Sequence, residues 1–349
     1  MKAALLFGPE DLRVVDALDP EPGPDEVTVR VVSFAPYGTD LGVYLNRGGR
    51  YPQPYPVGVG ADFSGIIDKV GAKVAGWQPG DRVSALTLAH CGTCANCQAG
   101  RTNLCLDPAF TPPPRQVCCQ EVTPVFARKL ARLPNGVTFD DAAMLGGIAD
   151  ALNAFDKMRP QPGETIAVVG VGAMGWGAIA AAKAFDLNIV AIGGTGQRAA
   201  LARASGADDV MAIAAHDEDV KDRFLARYPG GVPLVIETSA TEWGLRQSFA
   251  VAAMQGRITL TGGGALDLSG WDIVMRELEI HGSRASHHQE EALALIAAGK
   301  IDLKPTITHR FPLDQAPAAF AQLTGPDAKD IGRVIIECSP AADRQGDAA

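Results

Sequence analysis

At 349 residues the chain has room for about two domains of ordinary size, each able to bury its own core. With 47% hydrophobic and 20% charged residues, 39 glycines and 24 prolines, its composition is that of a turn-rich globular protein, which excludes disordered and fibrous classes. A formal charge of −9 argues against a nucleic-acid or anionic-membrane surface, since neither polyanion attracts an acidic protein.

Met1 to Phe7 is apolar after one lysine, but Gly8, Pro9, Glu10 and Asp11 cut it short of a secretory signal, so it is predicted as a strand. Nothing marks export or membrane insertion, and the cytoplasm is the expected location. Val27 to Val32 and Phe63 to Val70 are rich in β-branched residues, and Gly58, Gly60, Gly71, Gly76, Pro79 and Gly80 punctuate them. Many short strands joined by turns predict a β-rich first lobe. Gly80-Asp81-Arg82-Val83 reads as a turn feeding another strand.

Four cysteines then arrive together: Cys91, Cys94, Cys97 and Cys105, spaced C-x2-C-x2-C-x7-C. Two-residue gaps in tight turns let successive sulfurs point at one centre, and zinc takes four thiolates tetrahedrally. Four protein ligands leave no open position, so the expected site is a structural zinc. Cys118, Cys119 and Cys338 read as small buried hydrophobes.

After the turn residues Pro160, Pro162 and Gly163, Thr165 to Val169 is an unbroken apolar run suited to a strand buried on both faces. The turn Gly170-Val171-Gly172-Ala173-Met174-Gly175 follows directly, Trp176 to Phe185 is helical in pattern, and Leu187 to Ile192 supplies a second strand. A lone G-x-G-x-x-G is weak, but between a strand and a helix it predicts a dinucleotide cradle, with pyrophosphate over the glycines at the helix N-terminus. An acidic residue at the end of the second strand would accept from a ribose 2′-hydroxyl and repel a 2′-phosphate. Here stand Gly193, Gly194, Thr195, Gly196, Gln197 and Arg198. A hydroxyl, backbone amides and an arginine without a carboxylate favour NADPH.

Leu234 to Ile236 and Arg257 to Thr261 are predicted as later strands of the same sheet, and Glu290 to Ala298 as a helix stopped by Gly299. His287 and His288 read as exposed. Asp314 is expected to cap a last helix running to Leu323, before a final strand from Val334 to Glu337.

With the cysteine cluster and the glycine turn placed, the chain resembles the medium-chain dehydrogenase/reductase superfamily, in its zinc-containing alcohol dehydrogenase branch. The resemblance runs from Met1 to about Glu337. It rests on Gly38-Thr39-Asp40, Gly60 with Phe63-Ser64-Gly65, Gly80-Asp81-Arg82-Val83, the four cysteines, Leu133-Pro134, the glycine turn, Arg198 with Gly206-Ala207-Asp208, and Gly332-Arg333-Val334. The resemblance implies an α/β protein: a GroES-like β-barrel catalytic domain from residues 1–152 and 287–349, and a Rossmann doubly wound parallel-sheet domain from 153–286. It also implies an active site in the cleft between them and, usually, a homodimer or homotetramer. Arg333 matches a position that reaches the cofactor pyrophosphate, and Thr238 one near the nicotinamide.

The resemblance breaks at the catalytic metal. The family's ligands are normally a Cys in C-G-[ST]-D, a His in G-H-E, and an acidic or Cys residue near the interdomain helix. Tyr37, Ala61 and Gly146 occupy those positions, and no Cys or His precedes His90 anywhere. One zinc per subunit is therefore expected. Without a second zinc to polarise a carbonyl, the feasible reactions are those whose acceptor already delocalises the incoming electrons. The expected activity is NADPH-dependent reduction of a conjugated C=C or C=N bond in a weakly charged small molecule, with a side chain donating the proton. Tyr37, relayed by Thr39, is the first candidate donor and Tyr51 the second, with Asp62 orienting Tyr37. A packed aromatic with its hydroxyl tied to backbone is the competing reading for each tyrosine. The alternatives are a zinc-independent carbonyl reductase or alcohol dehydrogenase, and a non-catalytic NADPH-binding protein.

Overall fold

The β-branched stretch around Val27 forms the longest strand of the first sheet, because alternate and intervening residues alike find a core to enter. The computed structural model describes residues 1–46, 55–85, 89–107, 117–213, 220–265, 269–284 and 287–340. Chain contacts divide it into two units, Met1–Leu145 with Gln289–Ala297 and Ile307–Ala349, and Gly146–His288 with Ala298–Thr306. The expected first boundary lies at 152, and the expected GroES-like domain includes 287–288 and 298–306, which the contacts group with the second unit.

In chain order the first unit carries β1 (Lys2–Leu6), β2 (Leu12–Asp16), β3 (Glu26–Phe34), α1 (Gly38–Tyr44), β4 (Val57–Gly58), β5 (Phe63–Val70) and β6 (Arg82–Ala85). α2 (Ala95–Gln98), β7 (Val122–Phe126), β8 (Leu130–Arg132) and α3 (Phe139–Ala143) follow. α4 (Leu145–Met158) leads into the second unit: β9 (Thr165–Val169), α5 (Ala173–Ala184), β10 (Asn188–Ile192), α6 (Gln197–Ala204), β11 (Asp209–Met211) and α7 (Val220–Arg227). It continues with β12 (Val232–Glu237), α8 (Glu242–Val251), β13 (Ala252–Leu260), α9 (Gly270–Arg276) and β14 (Glu279–Gly282). The chain returns to the first unit through α10 (Gln289–Ala297), β15 (Ile307–Pro312), α11 (Ala316–Thr324) and β16 (Arg333–Glu337).

The first unit's main sheet runs β15-β16-β3-β5-β6-β8, with β7 also on β3, and a smaller sheet runs β2-β1-β4. Phe34, Phe63, Ile67, Val83, Phe320 and Ile336 fill its core. One row crosses the main sheet through backbone partners: Ile336 with Phe34, Phe34 with Phe63, Phe63 with Ala85, and Ala85 with Leu130. Since neighbours β16, β3, β5, β6 and β8 are antiparallel, the loops before β5, β8 and β16 and after β3 and β6 all leave at one end.

The second unit's sheet is parallel throughout in the order β11-β10-β9-β12-β13-β14. That is the doubly wound order in which the crevice at the carboxyl end of β9, between β10 and β12, takes a dinucleotide. The predicted strands and helices are found, with shifts of a few residues at their ends. Asp314 does not cap α11. It lies in the 3-10 turn Leu313–Gln315, and Gln315 precedes the helix. Pro317 in the first turn lacks an N–H and leaves one orphan donor fewer for a cap to satisfy. Among the described residues no helix is long and apolar enough to cross a membrane.

Candidate active site

Register gathers the cofactor candidates of the second unit. Val169, Ile192 and Glu237 are backbone partners across β10-β9-β12, so Gly170, Gly193 and Thr238 each follow directly at the same sheet end. Gly170 has a φ of 104°, open to glycine, and a methyl on it would meet Ser239 N at 2.8 Å. A methyl on Gly175 would lie 1.9 Å from the Gly170 carbonyl oxygen, which is the close helix-to-strand approach expected of that glycine. Gly172 is different: beyond its own neighbours a methyl there would meet only Arg198 Nη1, at 3.9 Å. Gly172 caps α5 with no side-chain hydrogen bond, so the helix N-terminus keeps its donors for an anion, and Ala173 and Met174 open the first turn. Thr238 Oγ1 donates to the carbonyls of Val169 (3.0 Å) and Gly170 (2.9 Å), tying β12 to the glycine turn. Gly194 (φ 63°) lets Val171 and Arg198 close in, and Thr195 is exposed beside half-buried Arg198. These residues fit a dinucleotide, with the open face at Gly172 on one side and Arg198, just past the end of β10, on the other.

At the gathering end of the first unit's sheet the side chains are ionisable and buried. Tyr37 is 8% exposed, Asp40 3%, Asp62 8%, Lys129 6% and Arg333 3%. Tyr37 O–H donates to the Met144 carbonyl at 2.9 Å, and the Arg333 guanidinium lies over its ring at 4.1 Å. Thr39, two residues on, is exposed in the first turn of α1. The Asp40 carboxylate accepts from Tyr37 N–H at 2.7 Å and so fixes the start of α1. Burial pushes the Asp40 carboxyl up to about 7, with Asp62 adding to the rise against the Tyr37 N–H and Arg333. Arg333 Nη2 donates to the Ala35 carbonyl at 3.3 Å, while its Nε and Nη1 have no hydrogen-bond partner among the described residues. A buried guanidinium with two unspent donors has capacity for an anion. Tyr51 lies outside the described residues.

Lys129, on the turn before β8, was missed from the sequence. Burial pulls its ammonium down to about 7, against the opposing pull of Asp62 and Cys118. Cys118 reaches the same place: its N–H donates to the Val59 carbonyl at 3.2 Å, and a methyl on Gly60 would lie 2.6 Å from its sulfur.

The four clustered cysteines converge. Their sulfurs lie within 4.8 Å of one another, with Cys94 to Cys97 at 3.4 Å and Cys91 to Cys97 at 3.9 Å. Bonds of about 2.3 Å to a tetrahedral zinc put the sulfurs about 3.8 Å apart, so the group is close to ready for one. Hydrogen bonds from Thr93 and from the Cys94 N–H bring the Cys91 thiol down to about 6. Arg128 ties the loop to the sheet by donating from Nη1 to the Cys91 carbonyl at 2.7 Å. A second group of ligand type is Asp156 with His287 and His288. His287 is exposed as expected, but the His288 side chain is only 12% exposed, with Nε2 at 2.9 Å from Asp156 Oδ2.

Residues 23–135 match the alcohol dehydrogenase GroES-like domain and residues 161–298 the zinc-binding dehydrogenase domain. Sorbitol dehydrogenase from Ovis aries is 30% identical over 349 residues, covering 96% of each chain. The chain belongs to the zinc-containing alcohol dehydrogenase-like branch of the medium-chain dehydrogenase/reductase superfamily. Medium-chain relatives include sorbitol dehydrogenase from Bacillus subtilis strain 168, 29% identical over 92% of each chain. A structure described as a zinc-binding dehydrogenase from Sinorhizobium meliloti 1021, solved with NADP bound, superposes with a TM-score of 0.84. It shares 27% identity over 96% of this chain and 98% of its own. The chain is thus an oxidoreductase of the medium-chain family, with the GroES-like and Rossmann parts expected.

Proposed function

We propose that this chain is an NADPH-dependent oxidoreductase without a catalytic zinc, reducing a conjugated C=C or C=N bond in a weakly charged small molecule. The observation that carries this reading is the side-chain set at the family's metal-ligand positions. By the resemblance Tyr37, Ala61 and Gly146 fall there, and none offers the thiolate, imidazole or carboxylate that ordinarily holds zinc. In the reading, the bound nicotinamide supplies the hydride. The second unit's residues hold that cofactor: Gly170, Gly172, Ala173, Met174 and Gly175 take the pyrophosphate at the start of α5. Gly193, Gly194, Thr195 and Arg198 take the 2′-phosphate end, and Thr238 holds the turn beneath the nicotinamide.

One structural zinc per subunit sits on Cys91, Cys94, Cys97 and Cys105, where four thiolates leave no position open for substrate. Elemental analysis of the purified protein is expected to give one zinc per subunit, and two would overturn the loss of the catalytic metal. The protein is proposed to act in the cytoplasm as a homodimer or homotetramer, with an edge for self-pairing at β14.

A second reading, a zinc-independent carbonyl reductase or alcohol dehydrogenase, is favoured by the 30% identity to sorbitol dehydrogenase. Matched enone, iminium and ketone substrates with NADPH deuterated at C4 separate the two. Label on the β-carbon of the enone or on the iminium carbon supports the proposal. Label on a carbinol carbon alone supports the second reading. NADPH binding without deuterium transfer to any acceptor supports a non-catalytic binding protein.

A further inference from the structure

Reduction across a double bond needs a proton as well as a hydride, and the hydroxyl of Tyr37 already donates to the Met144 carbonyl. The sheet supplies another group. The row Phe34, Phe63, Ala85, Leu130 places the residues immediately outside it at one end: Ala35 to Tyr37 after β3, Asp62 before β5, and Lys129 before β8. Arg333 enters from β16 at the same end and rests on Tyr37. Lys129 is thus brought by register to the end of the sheet where Tyr37 and Ala61 replace two of the family's metal ligands.

From this geometry we propose that Lys129 is the catalytic acid of the chain, its Nζ giving a proton to the substrate at the end of the seven-stranded sheet that also carries Tyr37 and Asp62. The proposal rests on the reductase reading above. In the step, hydride from NADPH forms a C–H bond at the electrophilic carbon and the π pair moves to the conjugated atom. That pair takes a proton from Lys129 Nζ, forming the second bond to hydrogen. Lys129 is left as a neutral amine, the cofactor leaves as NADP+, and solvent returns the proton to Nζ.

Three observations support the assignment. Among the described residues Lys129 is the lysine of that end of the sheet, and 6% exposure removes it from the solvated role of an ordinary surface lysine. Packing alone does not explain it, because a buried ammonium costs stability that an apolar side chain of the same length would not. Its surroundings also suit a group that gives up and regains a proton near neutrality. Burial favours the amine, Asp62 favours the ammonium, and the balance falls at about 7. Among the described residues the other titratable or charged groups at this end are Asp40 on α1, Tyr37, Arg333 on β16, Cys118 and Cys119. Burial pushes both thiols well above their usual range, so they stay protonated.

The test uses the full-length protein and has two arms. In the first, 15N-lysine NMR follows the Nζ resonance that Lys129→Met removes, with and without NADP+. It is expected to titrate near neutral pH and to move lower still in Asp62→Asn. Titration near 10, as for an ordinary lysine, would overturn the proposal whatever the protein reduces. In the second, turnover of the acceptor that takes deuterium is followed against pH. Wild type is expected to lose rate as pH rises through the Lys129 value. Lys129→Met and Lys129→Arg are expected to lose about a hundredfold or more and to lack that limb, while binding NADPH as wild type does. If Lys129→Met keeps both rate and limb, Asp40 or a tyrosine supplies the proton and the proposal is wrong. If deuterium appears only at a carbinol carbon and Lys129→Met is inactive, the C=C and C=N reading fails while Lys129 remains the acid. If wild type transfers deuterium to no acceptor, both fail.

Discussion

At the scale of single residues, two side chains at the same sheet end make opposite demands. Tyr37 spends its proton on the Met144 carbonyl, where α3 gives way to α4, and carries Arg333 on its ring. Tyr37→Phe leaves that buried carbonyl without its donor, so a loss of about 1 kcal/mol in stability is expected. Turnover is expected to change by less than about tenfold, since the ring that seats Arg333 remains. A hundredfold drop in a folded variant would instead make Tyr37 the proton donor that its position in the sequence suggested. Lys129 works against stability. Its value in the fold is about 7 against 10.5 in the unfolded chain, so between those limits the unfolded chain holds more protons and stability rises with pH. Below pH 7 the cost is present in full. Lys129→Met should therefore be more stable than wild type in urea at pH 6, and the gap should shrink as pH rises through 7 toward 10.5. A constant gap would mean that the lysine ionises normally in the folded protein.

At the scale of elements, the strand-turn-helix from Thr165 to Ala184 was legible because each part carries its own chemical signature: a charge-free β-branched run, glycines at fixed offsets, then alanines. The cysteine loop was legible for the same reason, since ligand spacing is local. Lys129 was not. It stands in Phe126-Ala127-Arg128-Lys129-Leu130-Ala131-Arg132, a run with three basic residues that reads as a solvated turn. Only pairing of β8 with β6, and through it with β5, shows that this lysine is the inward one. Arg128 instead reaches the cysteine loop, and Arg132 pairs with Asp81. Long-range register decides such a residue, and no local pattern encodes it. At the end of β10 the local chemistry can be tested directly. Arg198→Ala removes a guanidinium suited to a 2′-phosphate, a charge-assisted contact whose loss costs about tenfold or more in affinity. NADPH binding by calorimetry should weaken accordingly, with NADH changed by less than about threefold. Equal losses for both cofactors would remove Arg198 from cofactor choice.

At the scale of the whole molecule, the second unit's sheet ends on β14, which has β13 on one side and, among the described residues, no further strand on the other. An open edge presents unpaired N–H and C=O groups to any second strand. α9, which leads into β14, has no buried residue, and its Trp271, Val274 and Met275 are 70%, 63% and 55% exposed. Spaced i, i+3 and i+4, the three share one face of the helix. An apolar helix face and an open sheet edge in the same unit are what a two-fold pair of subunits would cover, each patch meeting its own copy. Trp271→Glu with Met275→Glu places two like charges on each side of such a contact, where repulsion counts twice by symmetry. If the proposed homodimer or homotetramer forms through this face, sedimentation should find the variant at a lower mass than wild type at the same concentration. Because the changes lie on an exposed face, circular dichroism and the zinc content should match wild type. A variant with wild-type sedimentation would place the subunit contact on another face.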